Sequence, residues 1–283
     1  MSISNDTSYP LSEKQQVQHV LQKERRNKYM LAMLSFIGVF GFLLIWQMAL
    51  DFGCISDRYA RYLSTPLELI ALFTIKLHDI TPDGATIQTH IITSLKVVFT
   101  GYLLAIFIGN LLGLLMGWYE GFRMFLNPLF ELIRPIPPVA WIPITIIWLG
   151  IGLEAKAFIV FASAFVACVI NSYTGIRQTS TVLINVAKTC GASNFVTFVK
   201  IGIPSAMPMM FAGARVALGN AWATLVAAEM LASTAGLGYM IMMGRNYTRP
   251  DIIMLGMVVI AIIGAILNAL LAILEKKVLR WRG

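Results

Sequence analysis

Six long apolar stretches separated by polar segments organise the chain, and we interpret each as a membrane-spanning helix. The first, 30–50, has 21 residues, which at ~1.5 Å rise per residue crosses a hydrocarbon core of ~30 Å. The others are predicted at 91–118, 138–153, 157–176, 207–230 and 252–274. The pattern predicts an all-α polytopic membrane protein with six transmembrane helices.

The polar segments divide the chain into three parts. Residues 1–28 form a polar tail with five Lys or Arg residues, and the apolar run after it is longer than the core of a signal peptide, so a retained first span is expected. Residues 29–89 hold that span and an external segment, in which 66–77 is predicted as a short helix on the membrane surface. Residues 90–283 form a core of five helices.

Prolines and glycines shape the predicted spans. Pro135, Pro137 and Pro138 cannot lie inside a regular helix, so the third span is expected to begin at Pro138 after a short linker, and Pro143 is expected to bend it. A turn at 154–156 is expected before the fourth span. In the second span Gly109, Gly113 and Gly117 recur every four residues, the spacing that lets two helix backbones approach closely in lipid.

The positions of the basic residues predict the orientation in the membrane. Of the 22 Lys and Arg residues, 14 lie in the two terminal tails and in the loops after the second and fourth spans, and 6 lie on the opposite face. By the positive-inside rule both termini and segment 178–204 face the cytoplasm. The formal charge of +8 is explained by this topology, so no nucleic-acid partner is expected.

Segment 178–204 has a helical pattern of its own. Leu183, Val186, Ala187 and Cys190 lie on one helix face, with Thr181 as the predicted cap and Gly191 as the left-handed end. Ser193 is expected to cap a second short helix that Pro204 stops. The simpler alternative is that this apolar face packs on the protein's own spans.

The spacing within this segment resembles the cytoplasmic signature of ABC importer permeases: EAA, three residues, G, nine residues, then I-x-L-P. Ala187, Gly191, Ile201 and Pro204 occupy matching places. The chain departs from the signature with Asn185 at the Glu position, Val186 at the first Ala and Ile203 at the Leu. The missing Glu affects any ion pair that this carboxylate would make with an ATPase partner, but not the docking geometry.

Three further stretches, 134–152, 221–230 and 236–240, look like the taurine, alkanesulfonate and nitrate branch of these permeases, and the Arg-Pro-x-Pro-Pro-x-Ala-Trp pattern of 134–141 is closest to taurine members. The resemblance implies the type I importer permease fold in a bacterial inner membrane, in contact with lipid and paired with a second copy as a homodimer. A periplasmic binding protein would deliver taurine, another alkanesulfonate or, as the alternative, nitrate or another small anion.

The resemblance also implies two cytoplasmic ATPase subunits that receive the loop. The docking residues it implies are Asn185, Val186, Ala187, Lys188, Gly191, Ala192, Ile201 and Pro204. The chain itself has no G-x-x-x-x-G-K-[ST] phosphate loop, so ATP and Mg²⁺ are expected on the partner, and no enzyme activity, cofactor or metal is expected here. In the family, ATP binding closes the ATPase pair and turns the permease from inward-open to outward-open.

One face of the fifth span is the predicted translocation pathway, because charges within a span are costly unless they face a cavity or a partner charge. Its members, at helical spacing, are Arg215, Gly219, Trp222, Val226 and Glu229, and Trp141 is a candidate gate. Two simpler alternatives stay open: Arg215 reaches the cytoplasmic surface, and Glu229 caps the periplasmic loop. In that loop, Gly236 and Gly238 predict a tight turn that reaches the outer mouth and touches the binding protein.

Two other classes of protein fit the sequence less well. A self-contained secondary transporter would need internal repeats or intramembrane acids for a coupling ion, and the chain shows no repeat and almost no such acids. A membrane enzyme would need a nucleophile beside a base, whereas His19, His78 and His90 are scattered.

Overall fold

The computed structural model describes residues 13–53, 56, 62–231 and 233–280, and the regular elements in these ranges are all helical. They are α1 (Glu13–Asp51), α2 (Pro66–Lys76), α3 (Ile87–Trp118), α4 (Glu120–Ile133), α5 (Ile142–Leu149), α6 (Leu153–Arg177), α7 (Thr181–Thr189), α8 (Asn194–Thr197), α9 (Ile203–Leu231), α10 (Leu237–Asn246) and α11 (Pro250–Val278). A 3-10 turn, Pro138–Trp141, precedes α5, and a π turn, Phe198–Gly202, joins α8 to α9. The predicted all-α class is confirmed for these ranges.

The chain forms two compact units, Met1–Glu68 and Leu69–Gly283. In the first unit, α1 contains the predicted span 30–50, and Phe36–Asp51 is an apolar helical segment. The helix α2 begins with a reciprocal cap, in which the Thr65 amide donates to Glu68 Oε2 at 2.9 Å and the Glu68 amide donates to Thr65 Oγ1 at 3.3 Å.

In the described ranges, four helices are long and apolar enough to cross a membrane: Ile87–Trp118, Leu153–Arg177, Asn194–Leu231 and Pro250–Val278. They contain the second, fourth, fifth and sixth predicted spans. Glu154 and Lys156, expected in a turn, lie instead in the first turn of α6. The chain is therefore a multi-pass membrane protein, and the total of six spans stays a prediction.

The third predicted span is wrong in its bounds. The segment expected to be a linker at Glu120 is the helix α4, and it is followed by the 3-10 turn and α5, with a bend of 83° between Glu120–Ile133 and Pro138–Leu149. Pro143 does not bend a helix, because it lies in the first turn of α5, where a missing N–H loses no intrahelical bond. This broken pair would be a fifth crossing if it forms one span.

The predicted glycine stripe packs helix on helix, as expected. A Cβ at Gly109 would lie 2.8 Å from Cys168 Cβ, and one at Gly113 would lie 2.8 Å from Ser172 Cβ, both on α6. Ser172 Oγ also donates to Asn110 Oδ1 between the two helices. Small residues thus bring α3 against α6, and α9 also packs against α6, where the backbone of Ala206 approaches Gly175.

Pro204 was expected to stop the second loop helix, and this is also wrong. The π turn Phe198–Gly202 leads directly into α9, so that Asn194–Leu231 runs as one helical stretch of 38 residues. The Ile203 amide bonds to the Phe198 carbonyl, five residues back. A wider turn of this kind accommodates a proline, since the ladder is already shifted where the N–H is missing.

Candidate functional site

The segment 178–204, which we call the knob, is built around a sharp turn at Gly191. Gly191 has a φ of +78°; its amide donates to the Lys188 carbonyl, and the Ala192 amide donates to the Ala187 carbonyl, both at 3.0 Å. These two bonds are the Schellman ending of a helix, so the predicted left-handed end is confirmed. The predicted cap at Thr181 is wrong by one residue, because Ser180 takes the cap position.

The second half of the knob is fixed to the end of α3. Ser193 Oγ accepts from the Val196 amide at 3.3 Å, which confirms the predicted cap. Trp118 Nε1 donates to Asn194 Oδ1 at 3.1 Å. The buried Phe198 ring packs against Trp118 and Tyr119, each with ring centroids 5.6 Å apart. The base of the knob is therefore held by aromatic packing.

The apolar face of α7 lies open on this subunit. Leu183 is 50% exposed and Val186 is 56% exposed, and beyond the turn Phe195 is 66% exposed. This disfavours the alternative that the face packs on the protein's own spans. Of the predicted docking residues, Asn185, Val186, Lys188 and Gly191 are exposed, whereas Ala187, Ala192, Ile201 and Pro204 are partly buried.

The predicted pathway face of α9 is largely engaged within the subunit. Arg215 forms an ion pair with Glu275 near the end of α11, and the buried Trp222 donates from Nε1 to the Ile260 carbonyl at 3.0 Å. Gly219, between these two residues, is exposed, and Val226, one turn after Trp222, is partly buried. The candidate gate Trp141 is partly buried and meets Phe158 edge-on, with ring centroids 6.3 Å apart.

Glu229 lies at the other end of α9, fully buried. Its carboxylate accepts from Ser94 Oγ at 2.8 and 2.9 Å, and its Oε2 accepts from the Gly238 amide at 2.9 Å. The Leu237 amide donates to Ser94 Oγ at 2.9 Å, and the Gly236 amide donates to His90 Nδ1 at 3.0 Å. The structure therefore shows the capping alternative for Glu229, since α3 and α9 together supply acceptors for the first amides of α10.

Gly236 is where the predicted turn occurs. Its φ is +138°, in the region that only glycine adopts readily, and a Cβ there would collide with the Glu229 carboxyl group. At Gly238, a Cβ would lie 2.9 Å from Glu229 Cβ. Both glycines thus let the start of α10 approach the buried carboxylate.

A second buried group of charges adjoins this cap. Lys76 Nζ pairs with Asp83 Oδ1 and donates to the carbonyls of Thr81 and Ala85 at 2.9 and 3.0 Å. His90 Nε2 lies 2.8 Å from Asp83 Oδ2, and because Nδ1 accepts a bond from Gly236, the ring proton belongs on Nε2. Burial opposes ionisation of Asp83, but His90 and Lys76 outweigh it and lower the pKa of this carboxyl below 3.8.

The sequence pattern did not identify this group. Lys76 lies at the end of the helix predicted on the membrane surface, and His90 was interpreted as one of three scattered histidines, yet both are fully buried. The three side chains come together because the segment after α2 folds back onto the start of α3. The sequence offered one indication of this buried group: a lysine, an aspartate and a histidine lie within fifteen residues of one another, just before and at the start of a predicted span.

Comparison with known proteins bears on what this arrangement does. A family model described as "Binding-protein-dependent transport system inner membrane component" matches residues 101–281. A protein of Methanocaldococcus jannaschii, provisionally named an ABC transporter permease protein, is 39% identical over 81% of this chain and 88% of its own length. The taurine transport system permease protein of Escherichia coli is 34% identical over 71% of this chain and 74% of its own length. The bicarbonate transport system permease protein of Synechococcus elongatus is 31% identical over 91% of this chain and 93% of its own length.

Proposed function

Because the chain belongs to the family of binding-protein-dependent transport system inner membrane components, we propose that it forms the membrane path by which an ATP-driven importer takes up taurine or another alkanesulfonate. The chain is an ABC transporter permease subunit and not itself an enzyme. The observation that carries the proposal is the family match over 101–281, which includes both the exposed knob and the long helix continuous with it.

The substrate is proposed as a small organic anion or zwitterion. The similarity to the taurine permease of Escherichia coli, together with the pattern of residues 134–141, favours a sulfonate. The bicarbonate permease of Synechococcus elongatus is similar over more of the chain, and it favours the second candidate, which is nitrate or another small inorganic anion. Both candidates share a compact, resonance-stabilised oxyanion.

The knob is proposed as the docking element for a cytoplasmic ATPase. Its apolar side chains Leu183, Val186 and Phe195 are exposed, and an exposed apolar patch rimmed by polar groups is typical of a protein interface. The ATPase would supply the site for ATP and Mg²⁺. Asn185, in place of the family Glu, would meet the partner as a neutral hydrogen-bonding group.

We further propose the assembly and its orientation. Two copies of the chain would enclose the path, with two ATPase subunits on the cytoplasmic side and a substrate-binding protein on the other, in the bacterial inner membrane. The excess of Lys and Arg on the side of the knob supports the placement of both termini in the cytoplasm. Arg215 and Gly219, exposed on one face of α9, are proposed to border the path.

Reconstitution tests the function directly. The permease, its ATPase and its binding protein are placed in proteoliposomes, and ATP hydrolysis and uptake are measured with taurine, methanesulfonate, nitrate and bicarbonate. The proposal expects ATP-dependent uptake and faster hydrolysis with a sulfonate than with the inorganic anions. Uptake of a solute without the ATPase would contradict it, and a preference for nitrate or bicarbonate would favour the second candidate.

Co-purification tests the docking element. Replacing Ala187 and Gly191 with Arg should abolish recovery of the ATPase with the permease, because bulky charges would stand in the contact. Gly121→Arg is the matched control, since a side chain there meets open space. ATPase binding that survives the double replacement would show that the knob is not the docking element.

A further inference from the structure

The break between α4 and the 3-10 turn lies at the level of the middle of neighbouring spans. The break consists of residues 134–137, and Arg134 lines the same cavity as Ser163 and Asn220. Ser163 is in the middle third of α6, and Asn220 is in the middle third of α9. Non-helical backbone at such a depth is tolerated only where it is buried in protein or lines a water-filled cavity, and residues 134–137 are exposed on the subunit.

The composition of the break fits this position. Pro135 and Pro137 have no N–H to satisfy, and neither does Pro138, the first residue of the 3-10 turn. The remaining amides of the break are bonded: Arg134 donates to the Phe130 carbonyl at 2.9 Å and Ile136 donates to the Ile133 carbonyl at 3.1 Å. The chain can therefore leave the helix inside the membrane without exposing a backbone donor there.

The cavity has a volume of about 340 Å³ and a mixed lining. Its polar members are Arg134, Ser163, Asn220 and Thr224, with Ile136 and Pro138 among the apolar ones. Of the lining residues in the described part of the chain, Arg134 alone is charged. The lining thus combines one guanidinium with neutral hydrogen-bonding groups, which is the chemistry that recognises an oxyanion.

The guanidinium of Arg134 is available to a ligand. Its side chain is 48% exposed, and its ion pair with Glu131, one turn earlier on α4, has a separation of 3.5 Å. Exposed pairs of this kind contribute little to stability, because solvent screens both charges. An incoming anion can therefore compete with Glu131 for the guanidinium.

The neutral members are placed to complete the contact. Ser163 Oγ and Thr224 Oγ1 share a hydrogen bond at 2.8 Å, and a hydroxyl in such a pair keeps lone pairs, with one O–H that can turn to a ligand. Asn220, one helical turn before Thr224, is exposed. A polar amide in the middle of a span is costly against lipid and favours a wet cavity.

We infer that this cavity, lined by Arg134, Ser163, Asn220 and Thr224, is an anion-binding station at mid-membrane that holds the sulfonate or other oxyanion head group of the solute in transit. The inference rests on the proposed function, and it adds a site of charge recognition on the broken span to the role proposed for Arg215 on α9. One weakly paired guanidinium in each copy of the chain suits a path, because a solute must be attracted and then released.

Cysteine labelling tests the station without any need for transport. In the assembled complex, with Cys54, Cys168 and Cys190 replaced by Ala, Asn220→Cys is treated with anionic sulfonatoethyl methanethiosulfonate and, separately, with its cationic trimethylammonioethyl analogue. We expect both reagents to react, and we expect the ratio of anionic to cationic rates to fall about fivefold when Arg134→Gln is added, as for loss of one nearby charge. A thiol that reacts with neither reagent, or a ratio unchanged by Arg134→Gln, would overturn the inference.

Arg123→Gln is the control for charge, because Arg123 lies on α4, the helix that ends just before Arg134, and also pairs with a glutamate three residues earlier, Glu120. It should leave the rate ratio unchanged. In proteoliposomes, Arg134→Gln should reduce taurine or bicarbonate uptake per ATP by tenfold or more while the loaded binding protein still stimulates hydrolysis. If Arg134→Gln takes up solute at the wild-type rate, the station is overturned. If the loaded binding protein does not stimulate ATP hydrolysis in the wild-type complex, the proposed function is overturned, and the labelling result alone decides the station.

Discussion

Glu229 accepts a hydrogen bond from the backbone amide of Gly238 at 2.9 Å, so a carboxylate at the end of α9 is the cap of α10. Ser94 joins the same group: its hydroxyl donates to Glu229 and accepts from the Leu237 amide. One glutamate and one serine thereby connect three helices, α3, α9 and α10.

Removing this carboxylate should destabilise the protein. Glu229→Ala leaves the Ser94 hydroxyl and the Gly238 amide buried without an acceptor, at about 1–3 kcal/mol each, so we expect a loss of about 2–6 kcal/mol. Glu229→Gln keeps one acceptor oxygen and should lose less. The measurement is unfolding of the detergent-solubilised protein, with Glu120→Ala as the control because Glu120 is exposed. Equal stability of Glu229→Ala and the control would contradict the capping role.

The charges around Asp83 should make stability depend on pH. The pKa of Asp83 is lower in the folded protein than the ordinary 3.8, so its stabilising contribution is fully present above 3.8 and is lost as pH falls through the lowered value. The stability difference between wild type and Asp83→Asn should therefore be large at neutral pH and shrink in strong acid. A difference that stays constant across this range would be inconsistent with an ionised Asp83.

Lys76 provides the matched test of the same group. Asp83→Asn alone leaves the buried Lys76 charge without its partner, which typically costs about 3–5 kcal/mol. Replacing both residues, with Lys76→Met, removes the charge as well and should recover much of that stability. A double variant no more stable than Asp83→Asn would show that the pair itself is not the source of the loss.

Gly191 allows the docking geometry to be tested with a small change. An alanine at its φ of +78° costs about 1–2 kcal/mol, although a Cβ there meets nothing within 4 Å. If the ATPase requires this turn, its affinity should fall by a factor of roughly 5 to 30 in Gly191→Ala, and less in Gly191→Asn, because asparagine tolerates the left-handed region. Titration of the ATPase against purified permease measures this, and Gly121→Ala is the control.

Variants of Arg215 and of its partner Glu275 distinguish a role of Arg215 in the translocation path from a role in packing. Arg215→Ala, inserted normally in the membrane, should abolish uptake, whereas Glu275→Gln should retain it, since Glu275 only pairs with Arg215 at the end of α11. Exchanging the two residues should not restore uptake. Full uptake by Arg215→Ala would remove Arg215 from the path, and rescue by the exchange would reduce its role to the ion pair.

Local rules predicted those parts of the structure that depend on neighbouring residues. Gly191 and Ser193 shape the knob as expected, because a left-handed glycine and a serine cap act within a few residues. The stripe at Gly109 and Gly113 was also predictable, since close packing of helices in lipid has a fixed spacing. The same rules failed at Pro143, which lies in the first turn of a helix, and at Pro204, where the π turn before it already shifts the hydrogen-bond ladder.

These local rules could not predict contacts between residues that are distant in the sequence. Ser94 and Glu229 form a hydrogen bond although they are 135 positions apart in the sequence. The spacing of residues along α9 does not predict this bond. Sequence spacing placed Glu229 on a pathway face with Arg215, but a helix face carries no information on which neighbour covers it. The cavity at Arg134 was likewise hidden, because its members come from three separate segments of the chain.

The uninterrupted helical stretch Asn194–Leu231 has a mechanical consequence. At 38 residues and ~1.5 Å per residue it is a rod of ~57 Å, with one end at the partly exposed knob and the other at the buried cap of α10. If the knob docks an ATPase as proposed, a push on it would be transmitted along this helix, whose hydrogen-bond ladder is altered by the wide turn at Phe198–Gly202 and by the ring of Pro208. The rigidity of the helix at these two places would determine how far a movement imposed by a partner at the knob displaces the other end of the helix.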